Sequence, residues 1–157
     1  MSKQNKEINN LLKEIKNIRR ITDDEWIKSL SERKIKELEF HDQDRDEVKI
    51  KDLNDYEFDQ RYGNKKYYNV TKRSNDYLDK WIKNESQGNV ILDYACGNGE
   101  NAIKASKYGA KLSLGFDISS VSVENAKKFA SKENLKNIEF FQADAEKTKL
   151  PDNSIDR

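Results

Sequence analysis

The sequence predicts a parallel α/β fold preceded by a helical N-terminal extension, and three observations carry that expectation. From Asn89 onward, short apolar runs alternate with helix-patterned stretches. A glycine-rich loop, Gly97-Asn-Gly99, joins the first run to the first of those helices. Up to about Ser86 the chain has a different grammar, of amphipathic helix and charged connection. Strand, helix, strand, helix, strand with short links calls for a parallel sheet with right-handed crossovers. Ligands in such sheets bind beyond the carboxyl ends of the strands.

The elements follow in order. Ile8, Leu11, Leu12, Ile15 and Ile18 recur at three- and four-residue steps, a narrow apolar stripe on a polar helix. Both signs of charge lie on the polar face, which suits docking or pairing better than a membrane surface. Thr22-Asp-Asp-Glu25 fits a capping box, and Ile21 with Trp26 fits a hydrophobic staple. That helix is expected to run through Leu30 and Ile35 to Leu38. His41 to Asp59 is rich in acids and reads as a charged loop. Arg61 to Arg73 carries five basic residues, three tyrosines and no acid. Tyr77, Leu78, Trp81 and Ile82 mark the face of a further helix, which Gly88 can end in a left-handed conformation.

In the second part, Val90–Leu92, Leu112–Phe116 and Ile138–Phe141 are the strands. The first intervening helix carries Ala102, Ile103 and Ala105 and ends at Gly109. The second carries Val123, Ala126 and Ala130, with Ser119 as its cap.

Composition bounds the function. Apolar residues make up 34% of the 157 and charged residues 38%, which gives one domain of moderate core and much solvated helix surface. A net charge of +1 argues against a strongly basic nucleic-acid binder, though not against a local basic patch. Cys96 is the single cysteine, so there is no internal disulfide, and no CxxC pair or Cys/His cluster offers a metal site. The first ten residues lack a signal-peptide core, and no apolar run approaches membrane-spanning length; a cytoplasmic protein is expected.

Gly97-Asn-Gly99-Glu-Asn-Ala102 matches G-x-G-x-x-[G/A] between a predicted strand and a predicted helix. Glycines permit tight turns and close approach of a ligand, and the helix start offers unpaired N–H groups. Asp117 follows Gly97 by twenty residues, at the end of the second strand, where a carboxylate can accept both hydroxyls of an adenosine ribose. Two further acids choose among adenosine cofactors. Asp93 lies four residues before Gly97, where it would repel a pyrophosphate but suit a ligand bearing an ammonium and a sulfonium. Asp144 follows the third strand, within reach of an adenine amino group.

Leu92-Asp-Tyr-Ala-Cys-Gly-Asn-Gly99, Leu114-Gly-Phe-Asp-Ile-Ser119 and Ala143-Asp-Ala-Glu with Leu150-Pro-Asp-Asn-Ser-Ile-Asp156 together resemble class I S-adenosylmethionine-dependent methyltransferases. The likeness is greatest to the small-molecule branch, the type 11 or type 25 methyltransferase domain, and covers about Asn89 to Arg157. It implies a Rossmann-like sheet and S-adenosyl-L-methionine as cofactor, with a small-molecule methyl acceptor. Asp93 and the loop of Ala95, Cys96, Gly97 and Gly99 would hold the methionine part. Asp117 would bind the ribose hydroxyls and Ile118 would pack on the adenine. Asp144 would face the adenine amino group, with the Ala145 N–H near a ring nitrogen. Ala95 departs from the family pattern, which has glycine there.

This divides the chain into a helical extension and possible lid over 1–86 and a cofactor-binding domain over 87–157. The sequence stops at Ile155-Asp-Arg157, where the family's fourth strand begins, so the sheet is expected to be incomplete, with strand one at an edge open to self-association. Bland readings stand beside the sharp ones. Cys96 needs no chemistry, being a small residue after a strand. His41 is the one histidine and a candidate base, but a lone histidine in a charged loop is commonly solvated. Asp144 also suits a helix-capping acid. Arg61–Arg73 is read as solvated loop first, as cofactor lid second and as nucleic-acid contact third. An NAD(P)-dependent oxidoreductase is the alternative enzyme, opposed by Asp93 and by the Asp144 motif. No catalytic residue is assigned.

Overall fold

A computed structural model of the chain describes residues 3–18, 23–45 and 72–157. Four helices come first: α1 (Lys3–Ile18), α2 (Asp23–Ser29), α3 (Glu32–Arg45) and α4 (Lys72–Ser86). They lead into β1 (Val90–Tyr94), α5 (Glu100–Lys107), β2 (Leu112–Asp117), α6 (Ser120–Lys132) and β3 (Ile138–Gln142). The sheet is parallel in the order β1-β2-β3, with Leu92 opposite Leu114 and Gly115 opposite Phe140.

Alternation along the strands sorts the core into two faces. Leu112, Leu114 and Phe116 of β2 join Val90 and Phe141 on one face, where Leu11 and Ile15 of α1 complete a buried cluster. The apolar stripe of the first helix therefore docks on this chain's own sheet. On the other face, Phe140 packs with Ala102 of α5 and Val123, Ala126 and Ala130 of α6. Every residue of β2 is buried, as the central strand of a sheet covered on both sides must be.

The helix starting near Thr22 does not run unbroken to Leu38. It stops at Ser29, and a new helix starts at Glu32. Serines make the break: Ser29 Oγ donates to the Trp26 carbonyl at 2.6 Å, and Ser31 Oγ accepts the Lys34 N–H at 3.5 Å. Such short hydroxyls compete with helical hydrogen bonds. Leu30, in the break, is buried. The acid-rich stretch also begins differently, since His41 to Arg45 continue α3 rather than forming loop. On α4 only Ile82 of the apolar face is buried; Tyr77 is 71% exposed, and Leu78 and Trp81 also face solvent. The Thr22 cap, the Ile21 staple and the tyrosine-basic stretch up to Thr71 lie outside the described residues.

Two predicted terminators behave as expected, Gly88 with φ 76° after α4 and Gly109 with φ 86° after α5. Ser119 caps α6, accepting the Ser122 N–H at 3.1 Å. The last residues run along the outer edge of β1 in the parallel sense. Arg157 N–H donates to the Val90 carbonyl at 3.2 Å and the Leu92 N–H to the Arg157 carbonyl at 2.9 Å. Asp156 adds its carboxylate to the Val90 N–H at 2.8 Å.

Candidate cofactor site

Past the carboxyl ends of β1, β2 and β3 lies a cavity of about 310 Å³, within the range of small-ligand sites. Ala95, Asp117, Ile118, Asp144 and Ala145 line it, together with Phe116 at its floor. From the helical extension come Arg33, Lys34, Glu37 and His41, all on α3. Five of the nine residues expected from the sequence thus meet at one cavity. The other four are not among its lining residues.

Asp93 is one of those four. Its Oδ2 accepts the N–H of Ala102, in the first turn of α5, at 3.1 Å. The carboxylate therefore occupies the positive end of that helix, where the backbone N–H groups have no helical partners. Burial pushes the Asp93 carboxyl above its usual range, opposed by the Ala102 N–H and Asn101 and reinforced by the nearby Asp117 charge. The acid is held under the glycine loop at an electrostatic cost.

Gly97, the second, has φ 55°, and its N–H donates to Asp117 Oδ2 at 2.8 Å. The other Asp117 oxygen accepts the Ser119 N–H at 2.9 Å. Asp117 is buried, so these two bonds fix the plane of its carboxylate at the end of β2. Ile118 is placed by its own carbonyl, which accepts Gln142 Nε2 at 2.8 Å across the ends of β2 and β3.

Cys96 and Gly99 serve packing. Cys96 is half-buried against the Phe140 cluster, and its N–H donates to the Phe116 carbonyl at 2.8 Å. Gly99 has φ 81°, and a Cβ there would lie 2.6 Å from the Phe140 ring and 2.8 Å from Ala126. Its missing side chain lets the loop close onto the sheet. Ala95 takes a left-handed conformation, φ 56°, at the position the family pattern gives to glycine.

Asp144 is buried, and each of its oxygens has a donor. Lys34 Nζ donates to its Oδ2 at 2.6 Å, and the Glu146 N–H donates to Oδ1 at 2.9 Å. Burial alone would raise the Asp144 carboxyl, but Lys34 and the Glu146 N–H outweigh it and hold the group below its usual range. The hydrogen bonds that Lys34 donates to Asp144 and then to Glu146 push its ammonium up. Lys34 also meets Glu146 at 2.8 Å, and Arg33 meets Glu146 at 3.1 Å. Further along α3, Asp42 takes a hydrogen bond from the Ser119 hydroxyl. So α3 is tied beside β3 at one end and beside β2 at the other, and it stands across the cavity.

Sequence reasoning did not single out Arg33, Lys34 or Glu37. A lysine on a helix this polar carries no local signal that it is buried; only the docking of α3 reveals it. His41 had been singled out, but as a loop residue. It lies on the cavity-lining side of α3, its ring edge-to-face with Phe40 at 5.5 Å between centroids. Tyr94, at the end of β1, donates its hydroxyl to the Ala145 carbonyl and sets its ring edge-to-face with Phe116 at 4.8 Å. Among the described residues no group of acids, histidine and cysteine is placed to hold a metal ion. Nor is any described helix long and apolar enough to cross a membrane.

The second part of the chain is similar to known proteins. The methyltransferase domain family matches residues 85–157. The ribosomal protein L11 methyltransferase of Clostridium botulinum (strain Eklund 17B / Type B) is 42% identical over 65 residues, 41% of this chain and 20% of that protein. Its counterpart in Thermoanaerobacter sp. (strain X514) is 35% identical over 77 residues, 49% of this chain and 24% of that protein. The chain thus spans only a fifth to a quarter of the length of these curated relatives. Among solved structures, the YcgJ protein of Bacillus subtilis is 32% identical, with a TM-score of 0.48 over 52% of this chain and 36% of that one.

Proposed function

We propose that residues 85–157, which match the methyltransferase domain family, form a class I S-adenosylmethionine-dependent methyltransferase domain, and that the cavity beneath α3 is an S-adenosylmethionine site serving methyl transfer. The observation that carries the proposal is the seat of Asp93. A dinucleotide would lay its pyrophosphate on the N-terminus of α5, where unpaired N–H groups attract an anion. In this chain the half-buried Asp93 carboxylate already takes the Ala102 N–H there. An acid beneath the loop favours the ammonium and sulfonium of S-adenosylmethionine and opposes NAD.

The residues then divide the ligand among them. Asp117, its plane fixed by Gly97 and Ser119, takes the ribose hydroxyls. Ile118 lies against the adenine ring, Asp144 accepts from its amino group, and the Ala145 N–H serves a ring nitrogen. Asp93 and the Ala95–Gly99 loop, including Cys96 and Gly97, hold the methionine part. The cofactor supplies an already activated methyl carbon, open to in-line displacement. What the protein contributes is alignment of the acceptor and exclusion of water. The acceptor is taken to be a small molecule, because α3 stands across the carboxyl ends of β2 and β3, where a large acceptor would have to reach. The helical extension, residues 1–86, belongs to the same working unit, since α3 forms one wall of the cavity and α1 covers one face of the sheet.

A thermal-shift series tests the reading. S-adenosylmethionine and S-adenosylhomocysteine at about a hundred times their dissociation constants are expected to add about 2.7 kcal/mol of stability. NAD and ATP at the same concentrations are expected to leave the transition in place. Stabilisation by NAD alone would reverse the assignment.

A further inference from the structure

Lys34 lines the cavity, comes from outside the matched domain, and has no part in the roles just given. Its side chain is 10% exposed and that of Asp144 11%, with Nζ 2.6 Å from Oδ2. The second Asp144 oxygen is held by the Glu146 N–H at 2.9 Å. Both oxygens therefore have fixed donors, and the plane of the carboxylate is set. Glu146, itself held by Arg33 at 3.1 Å, meets Lys34 at 2.8 Å. The ammonium is clamped between two carboxylates and cannot swing away cheaply, because a buried charge left unpaired is costly.

We propose that Lys34 is a positioning residue that keeps the Asp144 carboxylate ionised and oriented, so that the site selects a purine carrying a 6-amino group over one carrying a 6-oxo group. The inference rests on the reading of the cavity as an adenosine site and extends it to the base. An ionised carboxylate only accepts hydrogen bonds, so it pairs with an amino group and repels a carbonyl oxygen. Without Lys34, Asp144 is a buried acid beside a second acid, Glu146. Such a group takes up a proton. A protonated Asp144 donates as well as accepts, and a 6-oxo base becomes tolerable. The groups around Asp144 are Lys34, and Arg33 through Glu146, from α3, and Glu146 and Lys147 from its own segment. Asp117, Glu37 and His41 line the same cavity.

The test is a calorimetric titration of wild type, Lys34→Met, Lys34→Gln and Lys34→Arg with S-adenosylhomocysteine and with its 6-oxo counterpart, S-inosylhomocysteine. Wild type is expected to prefer the amino ligand by at least about a hundredfold, since a site built for a hydrogen bond rejects its mismatch strongly. In Lys34→Met that preference is expected to fall about tenfold or more, by loss of the amino ligand and gain of the oxo ligand. Lys34→Gln keeps a neutral donor and reports the same charge loss if the methionine variant does not fold. Lys34→Arg is expected to restore most of the preference. A preference unchanged in Met and Gln variants that still bind S-adenosylhomocysteine would overturn this inference alone, as would equal weakening of both ligands, the mark of mere structural support. A folded wild type that binds neither ligand would overturn the adenosine reading, and this one with it.

Discussion

Ala95 holds φ at 56°, a backbone region that costs an L-residue about 1–2 kcal/mol. Glycine adopts it freely but gains about 0.4–1 kcal/mol of unfolded-state entropy in exchange. The balance favours glycine, so Ala95→Gly is expected to raise stability by up to about 1 kcal/mol, read from urea unfolding. A loss of stability would mean that the alanine methyl packs favourably enough to repay the strain. The position was legible in the sequence as a departure from the family pattern. The sign of its effect needed the backbone angle. Gly99 shows the reverse: its place in the motif was plain, but its need for a missing side chain comes from Phe140 and Ala126, far along the chain. The positions of Asp117 and Asp93 were legible because strand ends and glycine spacing fix where an acid before or after the loop lies. Lys34 was not, because burial of a lysine is decided by a partner more than a hundred residues away.

At the scale of elements, the strands and the two crossover helices were readable from local pattern, with Ser119 and Gly109 marking boundaries by their own chemistry. The break between α2 and α3 was missed because Trp26, Leu30, Ile35 and Leu38 follow one another closely across it without a glycine or proline, while Ser29 and Ser31 redirect the backbone bonds. That break lets α3 lie across the cavity, tied by Lys34 to Asp144 and Glu146. Asp144, although burial alone would raise it, and Glu146 have carboxyls held below their usual values, chiefly by Lys34. The stability they contribute is complete above their unfolded values, about 4. It is lost as pH falls through the lower folded values. The raised Lys34 acts at the opposite end, contributing below its unfolded value, about 10.4, and fading as pH rises through the folded one. Amide exchange of α3, corrected for its intrinsic pH dependence, is therefore expected to accelerate on acidification before that of β2. Simultaneous release of α3 and β2 would mean that the ion pairs do not hold the helix.

Across the whole molecule, a three-stranded sheet with two covered faces brings Asp117 and Asp144 to a single cavity and seats Asp93 at the N-terminus of α5. The parallel order was foreseeable from alternation alone. What the sequence left open was the partner of the apolar stripe on α1, because a stripe specifies a surface and not its owner. Leu11 and Ile15 are 3% and 1% exposed against Val90, Leu112 and Phe141, so the extension contributes core as well as roof. On the proposed reading, cofactor binding draws on both parts of the chain. The measurement that tests this most directly is a calorimetric titration of the 157-residue chain with S-adenosylhomocysteine, with NAD as control and Asp117→Ala alongside. We expect saturable binding of S-adenosylhomocysteine, weakened about tenfold or more in Asp117→Ala, and none of NAD. A folded chain that bound NAD in preference, or bound S-adenosylhomocysteine equally well without the Asp117 carboxylate, would contradict the account.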